Sequence, residues 1–295
     1  MKTVKKLAIT LLILGFFACE NTPTPSPINP NTNTGTSSLK DTILKNVSYG
    51  ASPKQVYDIH LPAKRDSLTP VVLFIHGGAW KAGSKSEFDA YVNLMKKEWV
   101  SVAIVNMDYR LASNRDSIHH EEIIDDIKSC IGNVLGNKGN YHISSKMAVT
   151  GASAGGQLAM IYAYKYNDYN NIKCVGNLFG PSIISDWTWY NSFNLWLGGN
   201  VSDILTEYVG KSWDTTAYKA VSPYHQVKST SQPTIIFHGN LDPIVPLYQS
   251  QWLNKKLATL NVQKEYYEYP AFHGFDATQS ADVVKKMTAF FKKNM

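Results

Sequence analysis

Apolar runs and amphipathic stretches alternate along most of the chain. Continuous apolar runs at 71–76 (VVLFIH) and 100–108 (VSVAIVNMD) are typical of strands that are buried on both faces of a sheet. Four more strands are predicted from similar segments, at 146–150, 174–179, 234–238 and 264–269. This alternation predicts an α/β fold with a mainly parallel central sheet flanked by helices.

Helices are predicted between these strands. At 121–135, isoleucine and valine recur at near three- and four-residue spacing, which is typical of a helix with one buried face. Three more helices are predicted, at 155–166, 248–260 and 279–293. Upstream, alternating residues within 42–60 and a turn near 50–53 predict an antiparallel hairpin at the start of the domain.

One segment, 181–224, does not fit the alternation. It lies between two predicted strands, is too long for a simple crossover and holds four of the seven tryptophans. The segment is predicted to be an aromatic-rich helical insertion that packs on the sheet, forms a wall of the substrate pocket, or does both. Because pockets are usually apolar and aromatic, the candidate pocket residues are Trp187, Trp189 and Trp196.

The first 38 residues have a different composition. A basic start and a 12-residue apolar run end at position 18, which predicts a signal peptide at 1–18 because a spanning helix needs roughly 20 apolar residues. Cys19 follows directly and resembles the lipidated cysteine of bacterial lipoproteins, although an incidental cysteine is the alternative. With the Thr-, Pro- and Asn-rich tether at 19–38, this predicts export and a lipid anchor in the bacterial outer membrane, with a folded domain at 39–295.

Composition and charge exclude several classes of protein. Apolar residues make up 44% of the chain and charged residues 18%, which excludes a disordered, collagen-like or coiled-coil chain. Without the three lysines of 1–18, the 26 basic and 23 acidic residues leave a net charge of +3, too small to indicate nucleic acid. The three cysteines cannot form a disulfide framework, and no Cys/His cluster has zinc spacing, so neither metal nor organic cofactor is expected. Cys130 and Cys174 are predicted to be small buried apolar groups.

The motif GASAG at 151–155 carries the strongest chemical signal. It lies between a predicted strand and a predicted helix, where a sharp turn exposes a serine hydroxyl and glycines leave room for the strained backbone. The start of the helix directs its free N–H groups toward the same place. Ser153 is therefore the candidate nucleophile, and the N–H of Ala154 is a candidate oxyanion donor.

A second motif, HGGAW, directly follows the apolar run VVLFI. Consecutive glycines let the backbone turn its N–H groups toward the oxygen that becomes negative when a carbonyl is attacked. Gly78 and Ala79 complete the candidate oxyanion hole, and Gly77 shapes the turn. His76 and Trp80 are predicted to support this loop, and a supporting role for His76 is favoured over that of the base.

An acid and a base follow downstream, each in the loop after one of the last two predicted strands. The order Ser153, Asp242, His273 is the chain order of the α/β-hydrolase triad. Asp276, three residues after the base, is a possible acid but is predicted instead to be an acid at the start of a helix or a surface group. His120, in a polar run before a helix, is predicted to be solvated.

These motifs resemble those of α/β-hydrolases of the bacterial esterase and lipase group with an HGGxW oxyanion loop, and the chain is similar to the feruloyl-esterase-like (BD-FAE-type) family. The resemblance covers nearly all of 39–295 and includes DYRL at 108–111 and SP at 222–223. Asn240 departs from it, because relatives commonly carry an acid there in HGxxD. The resemblance implies a serine carboxylic ester hydrolase that forms an acyl-enzyme on acetyl or feruloyl-type esters of extracellular carbohydrates.

Two other functions stay open at this point. The HGGxW loop also resembles that of kynurenine-formamidase-like amide hydrolases, and the fold is shared with prolyl-type peptidases. From a different class, the aromatic residues of 187–213 would stack on sugar rings in a surface lipoprotein that binds carbohydrate without catalysis. Labelling by a fluorophosphonate distinguishes a hydrolase from such a binding protein.

Overall fold

A mostly parallel sheet lies at the centre of the structure, a computed structural model that describes residues 39–295. The strands in this range are β1 (Thr42–Ser48), β2 (Val56–Leu61), β3 (Val71–Ile75), β4 (Ala103–Met107), β5 (Met147–Ala152), β6 (Ile172–Leu178), β7 (Phe193–Asn194), β8 (Gly199–Asn200), β9 (Thr234–Gly239) and β10 (Lys264–Tyr269). Eight of them pair in the order β1-β2-β4-β3-β5-β6-β9-β10, while β7 and β8 form a separate antiparallel pair. β2 runs antiparallel to β1 and β4, and all other neighbours in the large sheet are parallel.

Helices cover both faces of the sheet. In chain order they are α1 (Asp89–Glu98), α2 (His120–Gly136), α3 (Lys138–Tyr141), α4 (Ala154–Ile161), α5 (Trp187–Tyr190), α6 (Val201–Val209), α7 (Thr215–Ala220), α8 (Pro223–Gln226), α9 (Leu247–Thr259) and α10 (Ala277–Asn294). One buried apolar cluster joins the sheet to α2, α4 and α9, and a second joins it to α1 and α10. Every residue of β3 and β4 is buried, as expected for strands covered on both faces.

This arrangement is the α/β-hydrolase fold that the sequence predicts, with the insertion entering between β6 and β9. The insertion at 181–224 consists of α5, the β7–β8 pair, α6, α7 and the start of α8, so its predicted helical character is confirmed. The strand predicted at 100–108 begins only at Ala103, because a turn leaves Val100 78% exposed. Helix α1 is not among the predicted elements.

The predictions for the N-terminal region lie outside the described residues. They comprise the signal peptide at 1–18 and the lipidated Cys19 with its tether at 19–38. Within 39–295, no helix combines the length and the apolar character that a membrane crossing requires.

Candidate active site

Ser153 lies on the sharp turn between β5 and α4. Its backbone adopts φ 53° and ψ −122°, a conformation that is strained for a residue with a side chain. The turn brings the start of α4 against the end of β3, and a Cβ on Gly155 would lie only 2.0 Å from the carbonyl oxygen of Ile75. Glycine is therefore required at 155 by close backbone contact, and the turn leaves the hydroxyl of Ser153 at the wall of a cavity.

The structure brings the three predicted triad side chains into one hydrogen-bonded series. Nδ1 of His273 lies 2.6 Å from Oδ2 of Asp242, and Nε2 of His273 lies 2.9 Å from Oγ of Ser153. In the neutral imidazole, Nδ1–H donates to the carboxylate while Nε2 accepts the serine hydroxyl. This geometry prepares the serine for proton transfer to the histidine.

The carboxylate of Asp242 is fully buried and has several donors. Its Oδ1 accepts the backbone N–H groups of Ile244 at 2.8 Å and Val245 at 3.0 Å. Its Oδ2 lies 3.1 Å from Nε2 of His238, a second buried histidine whose Nδ1 is 2.7 Å from Oγ of Ser250. Burial alone raises the pKa of a carboxyl group, but hydrogen bonds from His238 and His273 outweigh it, so the pKa of Asp242 lies well below its ordinary value.

The HGGAW loop faces the elbow with three consecutive residues at positive φ, namely Gly78 at 101°, Ala79 at 51° and Trp80 at 61°. Within 39–295, no acceptor takes a backbone hydrogen bond from the N–H of Gly78 or Ala79. Ala154 is the first residue of α4, where a backbone N–H has no partner inside the helix. The three predicted oxyanion donors are thus unused by the backbone that surrounds them.

His76 supports the same loop from below. Its Nδ1–H donates to the carbonyl oxygen of Gly77 at 2.8 Å, and its ring stacks on Tyr109 with centroids 4.2 Å apart. Burial lowers the pKa of His76, and its hydrogen bond to Gly77 only partly opposes this. A buried imidazole engaged in this way is not available to Ser153, which His273 contacts instead.

A cavity of about 500 Å³ opens beside Ser153, His273 and the HGGAW loop. Its wall is mainly apolar and is formed by the oxyanion loop, α1 and the insertion. Among the three predicted pocket tryptophans, Trp189 lines the cavity, and its indole N–H donates to the carbonyl oxygen of Ile244 at 3.0 Å. The insertion therefore supplies part of the wall.

Trp187 and Trp196 do not line this cavity. Trp187 is 56% exposed and packs against Tyr190 and Trp213, so the insertion's own aromatic cluster holds it. Trp196 is 69% exposed and lies beside Phe272, with ring centroids 6.3 Å apart. The spacing of the tryptophans did not indicate which of them would face inward, because α5 and the β7–β8 pair are too short to show a clear period.

The remaining candidate residues take structural positions. Asp276 accepts the backbone N–H of Gln279 at 2.8 Å and caps α10, as predicted. Cys130 and Cys174 are buried, as predicted. The prediction for His120 is wrong, because this side chain is 2% exposed beneath α6. In the part of the chain that the structure describes, no three His, Cys, Asp or Glu side chains are grouped as a metal site.

The sequence interpretation missed one buried polar residue near the site, Gln157 on α4. Its side chain is fully buried and bonds to Trp80 of the oxyanion loop. The signal was present, because Gln157 is the one side chain with a polar group in the α4 sequence AGGQLAMI. A buried polar side chain in such a helix needs a hydrogen-bonding partner.

Comparison with known proteins gives the same fold and names a family. The chain is 26% identical over 259 residues to esterase LipC of Mycobacterium tuberculosis, an alignment that covers 80% of this chain and 61% of LipC. A truncated carbohydrate esterase from gut microbiota matches with a TM-score of 0.72 at 22% identity, over 88% of this chain and 98% of that one. The propionate-bound esterase Est2 of Thermogutta terrifontis matches with a TM-score of 0.64 at 22% identity, over 86% and 94% of the two chains.

The chain thus spans about three fifths of the length of LipC, while the two solved structures share its fold over most of their length. The BD-FAE family model matches residues 57–257, a range that contains the HGGAW loop, Ser153 and Asp242. The chain belongs to the BD-FAE family.

Proposed function

We propose that the chain is a serine carboxylic ester hydrolase that acts through Ser153, His273 and Asp242. One observation carries this proposal: the three side chains form an unbroken hydrogen-bonded series at the wall of an apolar cavity. The neighbouring loop turns its backbone through three left-handed residues and leaves N–H donors for an oxyanion. These are the parts that acyl transfer to a serine requires.

In the first half-reaction, Oγ of Ser153 attacks the ester carbonyl carbon while Nε2 of His273 takes the hydroxyl proton. Asp242 keeps the imidazole in the tautomer that accepts this proton and stabilises the charged form. The carbonyl oxygen becomes negative and is held by the N–H groups of Gly78, Ala79 and Ala154. The carbon–oxygen bond to the alcohol then breaks, His273 returns its proton to the leaving oxygen, and an acyl-enzyme is left on Ser153.

In the second half-reaction, water takes the place of the alcohol. His273 removes a proton from the water as it attacks the acyl carbon, and the same N–H donors hold the second oxyanion. Ser153 leaves with the proton from His273, and the carboxylic acid is released. Atoms and charges balance with one water consumed for each ester cleaved.

The cavity suits an acyl group better than a sugar. Its polar side chains, besides two tryptophans whose N–H groups are already bonded, are Ser153, His273, Glu87 and Tyr91. A sugar ring inside it would leave hydroxyl groups without partners, which is unfavourable. The acyl group therefore enters the cavity, and the alcohol part of the substrate stays at its mouth.

Exposed aromatic rings on residues that adjoin the cavity wall in sequence support a carbohydrate as the alcohol part. Phe272, which directly precedes His273, is 61% exposed, and Trp196 beside it directly precedes Leu197 of the cavity wall. Such rings offer flat apolar faces to the C–H groups of a sugar. The similar fold of a gut-microbiota carbohydrate esterase adds to this support, and we propose acetyl or feruloyl-type esters of carbohydrates as substrates.

Replacing Trp196 with alanine tests the carbohydrate part of the proposal. We expect Trp196→Ala to raise KM on acetylated or feruloylated xylan by about 2- to 10-fold, in the range of one lost aromatic contact, with unchanged hydrolysis of a small chromogenic acetyl ester. Trp252→Ala is the matched control, because Trp252 is 52% exposed on α9 and does not line this cavity. If the two variants have equal kinetics on xylan, Trp196 has no specific part in carbohydrate binding, and it no longer supports a carbohydrate substrate.

Ser153→Ala tests the hydrolase itself. We expect it to abolish turnover of acetyl, longer-chain and feruloyl esters, because no other described side chain holds a hydroxyl against His273. The same panel includes a p-nitroanilide, whose cleavage in preference to esters would favour the amide hydrolase or peptidase alternative. Sugar binding by a wild-type protein that hydrolyses nothing would favour the carbohydrate-binding alternative.

We also propose that Cys19 carries a lipid that holds the exported protein in the outer membrane. The support is the apolar run that ends directly before Cys19 and the Thr- and Pro-rich stretch after it. Incorporation of labelled palmitate into the wild-type protein but not into Cys19→Ala tests this proposal.

A further inference from the structure

The backbone of the oxyanion loop has a strained conformation that needs support from neighbouring residues. Ala79 and Trp80 both have positive φ, at 51° and 61°, and they follow Gly78 directly. Positive φ is strained for a residue with a Cβ, so the loop keeps this shape only where its surroundings fix it. The carbonyl oxygen of Trp80 accepts the N–H of Ala112 at 2.8 Å, which is one fixed point.

The side chain of Trp80 provides a second fixed point. It is 3% exposed, and its ring stacks on Tyr208 of α6 with centroids 4.2 Å apart and an interplanar angle of 13°. Its indole N–H donates to Oε1 of Gln157 at 3.0 Å. This hydrogen bond links the loop to α4, the helix whose first residue directly follows Ser153.

Gln157 has three hydrogen-bonding partners. Oε1 also accepts the hydroxyl of Tyr208 at 2.9 Å, and Nε2 donates to the carbonyl oxygen of Val221 at 2.8 Å. Only this orientation of the amide satisfies two donors and one acceptor, so the side chain is fixed. Tyr208 and Val221 both belong to the insertion, which is thus joined to the oxyanion loop through one amide group.

The network continues beyond Tyr208 into α2. The hydroxyl of Tyr208 lies 2.6 Å from Nδ1 of His120, whose Nε2 lies 3.2 Å from the hydroxyl of Tyr166. Burial lowers the pKa of His120 to about 3, so the imidazole is neutral and has one donor and one acceptor nitrogen. Because Oε1 of Gln157 only accepts, the hydroxyl of Tyr208 donates to it and accepts from Nδ1–H of His120. The hydroxyl of Tyr166 lies within hydrogen-bonding distance of both Nε2 of His120 and the carboxylate of Glu121.

We infer that Gln157 is a positioning residue that holds the oxyanion N–H groups of Gly78 and Ala79 in place through the indole of Trp80. It touches neither the substrate nor the reacting atoms, and acts on the rate only through the shape of the loop. This inference rests on the proposed serine hydrolase, and its tests are measured relative to an active wild-type enzyme.

Gln157→Leu removes the acceptor while keeping a side chain of similar size. Oxyanion contacts strengthen only in the transition state, and losing one donor outright costs about 100- to 1000-fold in rate. A displaced loop weakens these contacts without removing them. We therefore expect a loss of about 10- to 100-fold in kcat per titrated active site, with KM changed by less than about 3-fold.

A double-mutant cycle with Trp80→Phe tests whether Gln157 acts through the indole. Trp80→Phe keeps a stacked ring on Tyr208 but lacks the N–H. If the bond between the two side chains carries the effect, the double variant loses no more kcat than the more impaired single variant. If instead the fold losses in kcat of the two single variants multiply in the double variant, Gln157 and Trp80 act independently, and the inference is overturned.

Tyr164→Phe is the matched control for general loss of stability. Its hydroxyl is a buried partner of Oγ1 of Thr234 at 2.7 Å, and it has no contact with the loop. We expect a lower melting temperature with wild-type kcat. An equal loss of kcat in Tyr164→Phe and Gln157→Leu, or wild-type kcat in Gln157→Leu, would overturn the inference.

If Gln157→Leu does not fold, Tyr208→Phe replaces it in the cycle, because it removes the other donor to Oε1. We expect it to lower kcat by about 3- to 10-fold, as the loss of a supporting hydrogen bond. Wild-type kcat in both Tyr208→Phe and Trp80→Phe would overturn the inference. Inactive wild-type enzyme that is not labelled at Ser153 would instead contradict the proposed function.

Discussion

Asp242 shows how much of the site depends on the surroundings of a single side chain. A fully buried carboxylate is unfavourable unless it is paired, and here two histidines and two backbone N–H groups supply the pairing. The aspartate's place after β9 was predictable from the chain order. The contact of the second histidine, His238, with Asp242 could not be predicted, because it depends on how the loop after β9 folds back.

We expect Asp242→Asn to lower kcat on the order of 10⁴-fold without unfolding the protein. An amide at this position does not stabilise the protonated imidazole and favours the wrong tautomer of His273. The measurement is kcat on a chromogenic acetyl ester, with circular dichroism as a check of folding.

Asp276→Asn is the matched control for that variant, since Asp276 caps α10 and also lies close to the base in sequence. Asparagine is about as good a helix cap as aspartate, so activity should be retained. Loss of activity in Asp276→Asn with activity kept in Asp242→Asn would show that Asp276, and not Asp242, is the acid of the triad.

At the scale of elements, the strands of the large sheet and the longer amphipathic helices could be predicted, whereas α1 and the individual short elements of the insertion could not. β3, β4 and β9 are short and largely apolar segments, which are typical of strands buried on both faces of a sheet. Helix α1 escaped prediction because only Val92 and Met95 of its ten residues are buried. The elbow and the oxyanion loop could be placed from their motifs because glycine positions fix local backbone, whereas the orientations of the insertion's tryptophans depend on tertiary packing.

His120, the first residue of α2, gives this helix an expected pH dependence. Its pKa is about 3 in the folded protein, lowered first by burial and further by Lys165, against about 6.5 in the unfolded chain. Below pH 6.5 the unfolded chain therefore binds a proton that the folded protein does not, and the free energy of unfolding falls as the pH falls toward 3.

We expect urea unfolding to show that wild-type protein loses more stability between pH 7 and pH 5 than His120→Gln does. The variant lacks the titrating group but keeps a side chain that forms hydrogen bonds. Parallel pH dependence of the two proteins would contradict the assignment of this stability loss to His120.

At the scale of the whole molecule, the fold gathers a site from segments that are far apart in sequence. Parallel strands end at one edge of the sheet, so the loops after β3, β5, β9 and β10 meet there and bring positions 76–80, 153, 242 and 273 together. The insertion between β6 and β9 is placed by the same topology at this edge, where it adds Trp189 to the cavity wall and Tyr208 to the support of the oxyanion loop. Chain order predicted the first result, and the second required the three-dimensional packing.

The central claim is that Ser153 is a nucleophile activated by His273. Mass spectrometry of the peptide that contains Ser153, after treatment with a fluorophosphonate, measures this directly. We expect stoichiometric phosphonylation of Ser153 in the wild-type protein, none in Ser153→Ala, and labelling slowed by at least about 100-fold in His273→Gln, because the serine then lacks its base. Folded wild-type protein that is not labelled at Ser153, or labelling at an unchanged rate in His273→Gln, would contradict it.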